Sequence, residues 1–130
     1  MNLPFLDAGG AGLVFIAFGI FVLFIGLAII IETLIMILMK YNARFKKAFL
    51  DSLLVNMASL AVGFVLWQFF RDFLRYYSLL SLVILYAVTV MVESGLLYLL
   101  NRKQPVGKTL GVCLVMNLVT YILLFFISRI

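Results

Sequence analysis

Four long apolar stretches, broken by three short polar connections, make up nearly the whole chain. Each is long enough to cross a hydrocarbon layer of roughly 30 Å, which takes about 20 residues at 1.5 Å rise per residue. The pattern predicts helices over about 11–39, 48–70, 77–100 and 108–128, and one domain spanning 1–130. The expected fold class is therefore an all-α integral membrane protein with four transmembrane helices. Met1 to Gly10, with Pro4, Asp7 and the Gly9-Gly10 pair, reads as a short interfacial head. It carries no Lys or Arg to form the n-region of a cleavable signal, so the first helix is expected to remain in the mature protein.

Against this apolar background the polar residues stand out. Glu32 lies in Ile29-Ile30-Ile31-Glu32-Thr33-Leu34-Ile35, and Glu93 lies 61 residues later in Val90-Met91-Val92-Glu93-Ser94-Gly95. An ionised acid at membrane depth costs roughly 2.5–3.5 kcal/mol on insertion scales, so it persists only where something pairs with it, hydrates it or uses it. The same offset of 61 superposes Lys47 on Lys108, Ser52 on Cys113, Asn56 on Asn117 and Ser59 on Thr120. Rare polar residues in register point to two tandem helix hairpins, about 11–70 and 77–128, related as parallel repeats about an axis along the membrane normal. In the second helix Ser52, Asn56, Ser59 and Gly63 follow the helical period and form one polar, small-residue stripe.

Counting from the basic ends of the helices puts each Glu and the Asn of the next helix at the same depth, about 12–13 Å from the loops. An Asn amide can donate to a carboxylate there, and such bonds between membrane helices average about 0.6 kcal/mol. The candidate intramembrane polar site is therefore Glu32, Asn56 and Ser59 with Glu93, Asn117 and Thr120. In the first helix Gly12, Gly19 and Gly26 recur every seven residues and read as a helix-packing seam. Six residues separate Gly26 from Glu32, about 120° around the helix, so seam and acid are expected to address different neighbours.

Composition sharpens the class. Of the 130 residues, 67% are hydrophobic and 12% charged, where a soluble domain is about half apolar and a quarter charged. The net charge of +5 is concentrated in the first and third connections, as Lys40, Arg44, Lys46, Lys47, Arg102, Lys103 and Lys108. The positive-inside bias makes those loops cytoplasmic and leaves both termini outside, in a bacterial-type inner membrane or a plasma membrane. No basic patch is interleaved with exposed aromatics, so no nucleic-acid partner is expected. The chain has one Cys and no His, which rules out an intrachain disulfide and the usual zinc spacings. No metal, cofactor or catalytic motif is read from it, and Ser52 and Cys113 are read as small packing residues.

Four helices of modest length are expected to leave little room for an internal cavity. The leading expectation is a small polytopic subunit, its partners being the lipid bilayer and either copies of itself or other membrane subunits. Packing would run through the Glu/Asn pairs and the glycine seam. The alternative is a proton- or cation-coupled small transporter or channel that uses Glu32 and Glu93.

Overall fold

A computed structural model describes residues 5–76 and 78–127. The chain is all-helical: α1 (Phe5–Leu38), α2 (Phe45–Tyr76), α3 (Ser78–Leu100) and α4 (Val106–Ile127). Each helix contains a stretch long and apolar enough to span a membrane, Gly12–Leu38, Phe45–Asp72, Leu80–Leu100 and Val106–Leu123. The helices form a ring in which α1 packs on α2, α2 on α3, α3 on α4 and α4 back on α1. The backbones of the diagonal pairs do not touch, so the four helices enclose a common axis.

Local chemistry explains most of the boundaries. α1 ends in a Schellman motif: Tyr41 N donates to Met36 O at 2.8 Å and Lys40 N to Ile37 O at 2.9 Å. That closure puts Lys40 at φ 52°, a left-handed conformation that glycine would adopt without strain. α4 starts two residues earlier than the sequence pattern suggests. Pro105 stands as its cap, with its carbonyl accepting from Thr109 N at 3.0 Å, and Gly107 falls inside the first turn. At the other end of α1, residues 5–10, expected as part of an interfacial head, are already helical. Met1 to Pro4 and Ser128 to Ile130 lie outside the described residues.

The second connection departs furthest from expectation. Arg71 to Tyr76, which the expected helix bounds leave as the second connection, continues α2 beyond a bend at Phe70 (φ −122°, ψ 17°). The stretch has no Gly or Pro and holds helix-forming Arg and Leu, so charge alone does not unwind it. A helix can carry its polar end out of the hydrocarbon.

Burial is uneven along the bundle. Among the described residues the apolar core consists of Ile29, Met36, Tyr41, Ala48, Val55, Val90, Leu97, Val112, Cys113 and Met116. All of these lie between the two acids and the basic loops, or within a turn of that region. Residues 12–23 of α1, by contrast, are exposed on every face. The bundle is tight at the basic-loop end and loose at the end bearing the termini.

A polar lock closes the tight end. Asp51, 4% exposed, accepts from Asn42 Nδ2 at 3.1 Å, from Asn101 Nδ2 at 2.8 Å and from Lys47 Nζ at 3.0 Å. It thereby ties the first connection, α2 and the third connection together. Beside it Tyr41 is buried, its hydroxyl 3.0 Å from Thr109 Oγ1 and its carbonyl accepting from Gln104 Nε2 at 2.6 Å. Lys108 Nζ donates to Lys40 O at 2.8 Å.

Two expectations follow. Asp51→Ala leaves the Asn42 and Asn101 amides without their acceptor and should cost about 2 kcal/mol in reversible unfolding in micelles. Lys47→Ala should cost less than about 1 kcal/mol, because its ammonium is half exposed. Equal losses would contradict an amide-centred lock. Burial, opposed by the Thr109 hydrogen bond, pushes the Tyr41 phenol above its ordinary value of 10.0. Its contribution to stability is complete below the unfolded value and is lost as pH rises through the raised folded one. Alkaline unfolding above about pH 10 should therefore be shallower in Tyr41→Phe than in the wild type. Matching slopes would remove that link.

Candidate intramembrane carboxylate site

The costliest residues in the sequence lie near the centre of the ring. Glu32 and Glu93 are each 1% exposed, turned inward from α1 and α3. Among the described residues no Lys or Arg pairs with either, since the ion pairs there are Lys47–Asp51 and the exposed Arg71–Asp72. Their partners are neutral donors instead. Asn56 Nδ2 donates to Glu32 Oε2, and Ser52 Oγ donates to the same oxygen at 2.8 Å. Asn117 Nδ2 donates to Glu93 Oε2 at 2.7 Å, and Ser59 Oγ to Glu93 Oε1 at 2.7 Å.

Each Asn is held by its own helix. Asn56 Nδ2 also reaches Ser52 O at 2.9 Å, and Asn117 Nδ2 reaches Cys113 O at 3.0 Å. One amide thus bonds a carbonyl one turn back and a carboxylate on the preceding helix, which fixes its rotamer and aims it. The correspondence at an offset of 61 extends to burial. Ile29 and Val90, Met36 and Leu97, Ala48 and Thr109, Ser52 and Cys113, and Val55 and Met116 are buried in pairs, as are the two acids.

Several positions act differently from the sequence reading. Ser52, expected as a packing residue, is the second donor on Glu32. Ser59, taken to serve the first hairpin, crosses to Glu93 on α3. Its counterpart Thr120, on α4 beside α1, has a fully buried Oγ1 with no hydrogen-bond partner among the described residues. Gly12 and Gly19 are exposed, and Gly26 is half-buried; a Cβ on any of the three would meet nothing within 4 Å. The glycine seam is therefore not used within the chain. Of the basic-loop residues, Lys47 and Lys108 join the lock described above, while Arg44, Lys46, Arg102 and Lys103 are exposed.

The expectation of little internal space is corrected as well. A cavity of about 640 Å³ extends from the two acids toward the end of the bundle bearing the termini. Glu32, Asn56, Ser59, Glu93, Asn117 and Thr120 make its floor. Phe21, Phe24, Phe64, Trp67, Leu85 and Tyr121 are among its walls. Space opens here because Ala28, Gly63 and Thr89 are small where the helices would otherwise meet, and because the outer turns of α1 do not pack. Among the described residues no three His, Cys, Asp or Glu side chains gather as a metal cluster.

The fold and site define an all-helical chain with four candidate membrane spans and two inward-facing carboxylates over an apolar cavity. No protein-family profile, curated protein or solved structure matches it.

The geometry makes the acid and amide interdependent. Asn117→Leu leaves part of a buried carboxylate without a donor and should cost about 1–3 kcal/mol in unfolding. Removing both partners, as Glu93→Leu with Asn117→Leu, should recover most of that loss. A double variant less stable than the single one would show that the pair is not the unit.

Proposed function

We propose that the chain is a small membrane transporter or channel that takes a cation, the proton included, at the Glu32–Glu93 site. The observation that carries this is the direction of the two carboxylates. Both are buried against donors of their own chain and line one cavity, so neither is presented to an Arg or Lys on a neighbouring subunit. Intramembrane acids facing an interior space mark ion and proton pathways more often than structural contacts.

The matching burial and hydrogen bonding of residues 61 apart support the reading of two tandem hairpins arranged as parallel repeats. The basic loops support an orientation with the first and third connections cytoplasmic. In that orientation the cavity belongs to the outer half of the membrane.

Reconstituted wild-type protein should dissipate an imposed proton or monovalent-cation gradient in liposomes. Glu32→Gln with Glu93→Gln should cut that flux at least about tenfold, as loss of an interaction worth one decade requires. Flux that survives in the double variant would overturn the proposal.

A second reading has its own observation. Gly12 and Gly19 lie on a stretch of α1, residues 12–23, that is exposed throughout, which suits a self-associating or partner-binding face. A Gly19→Leu chain that crosslinks in bilayers as the wild type does would set this reading aside.

A further inference from the structure

The two acids are not equally satisfied. Glu93 has a donor on each oxygen, Ser59 on Oε1 and Asn117 on Oε2. Glu32 has both its donors on Oε2, and Oε1 receives no hydrogen bond among the described residues. Thr120 occupies the position equivalent to Ser59, and its buried hydroxyl is likewise unbonded. A buried hydroxyl left without a partner costs about 1–3 kcal/mol, so a ligand that satisfies Thr120 binds with that advantage. A carboxylate oxygen needs a donor, and a threonine hydroxyl can accept from one. The complement is a positively charged group with more than one N–H.

The remainder of the cavity does not supply the ligand shell of a hard, multiply coordinated ion. Hard cations such as Ca²⁺ collect about 6–8 oxygen ligands. Here the Asn amides turn their nitrogens to the acids, and the space beyond the floor is walled by hydrocarbon and aromatic rings. Its volume of about 640 Å³ falls within the roughly 300–1,000 Å³ of sites that enclose small molecules. Phe21, Leu27, Leu60, Phe64 and Trp67 line the cavity and are themselves exposed within the apolar spans, so its rim opens on the lipid-facing surface. An amphiphile can therefore enter from the membrane with its charged end leading to the acids.

We infer that the cavity binds an amphipathic primary or secondary ammonium ion. Its N–H groups bond Glu32 Oε1 and Thr120 Oγ1, and its apolar body lies along the aromatic wall. This rests on the reading of the Glu32–Glu93 site as a cation site and names the class of its ligand. The ammonium comes either from an aminophospholipid headgroup or from a soluble amphiphile.

Trp67, the single Trp of the chain, lines the cavity and reports on occupancy. The full-length protein in nanodiscs of phosphatidylcholine and phosphatidylglycerol is titrated with ω-bromododecylamine, whose bromine quenches indole fluorescence on contact. Saturable quenching is expected, with binding about tenfold weaker for ω-bromododecyltrimethylammonium, which has the charge but no N–H. Glu32→Gln should weaken amine binding about tenfold and Thr120→Val about threefold or more, with Thr120→Ser restoring it. Ser94→Ala, whose hydroxyl bonds its own helix at Met91 O, should leave it unchanged.

Phosphatidylethanolamine added to the nanodiscs decides the source, and either result upholds the proposal: competition identifies the lipid amine, and no competition a soluble amphiphile. Equal affinity for the two head groups, or no effect of Thr120→Val, overturns it. Absence of saturable quenching alongside carboxylate-dependent flux of protons or inorganic cations overturns the amine assignment and leaves the cation site standing. Absence of both removes the two together.

Discussion

The structure depends on keeping two carboxyl groups out of water and out of lipid at once. A charged side chain in hydrocarbon costs several kcal/mol, and among the described residues neither acid has a cationic partner. What the chain offers is a set of dipoles: two amides and two hydroxyls, each on the helix next to an acid. The α1–α2 and α3–α4 hairpins therefore have to pack in the register that brings Asn56 to Glu32 and Asn117 to Glu93. Ser59 then bonds across from α2 to α3, and the two hairpins are joined by the same requirement that builds each one.

The rest of the packing follows from this polar level. On one side of it the helices close on a core of Met36, Val55, Leu97, Val112 and Met116, finished by Tyr41 and the Asp51 lock. On the other side the helices separate around small residues and aromatic rims, and α1 continues alone. Lipid tails are as apolar as the exposed Phe and Leu side chains there, so a loose outer half carries no hydrophobic penalty in a membrane. The division of labour is sharp: one half of the bundle holds the fold together, and the other holds a space.

Much of this was legible in the sequence, because cost is legible. The four spans could be read from apolar length, and the acids with their amides from the rarity of such residues in hydrocarbon. The cavity was not, since volume depends on how far helices diverge and no periodicity reports that. Of the lock, only the Lys47–Asp51 pair, four residues apart on one helix face, can be read from spacing. Asn42, Asn101 and Asp51 lie near the polar connections, where Asn and Asp are common, and only the fold shows that Asp51 serves both connections. The helical course of Arg71 to Tyr76 was hidden because the expected helix bounds followed the apolar runs, when the residues themselves are good helix formers. Ser59's choice of Glu93 over Glu32 depends on which helices are neighbours, and the spacing within α2 cannot tell one neighbour from another.

Tyr41 gives the bundle a direction. On the side bearing the termini the cavity is walled by apolar and aromatic side chains, with the Thr89 and Tyr121 hydroxyls 3.4 Å apart. Toward the basic loops it faces Met36, Leu97 and Met116 and then a phenol held by Thr109 and a carbonyl held by Gln104. The bundle is thus closed at one end and spacious at the other, and one aromatic side chain at the end of α1 marks the closed end.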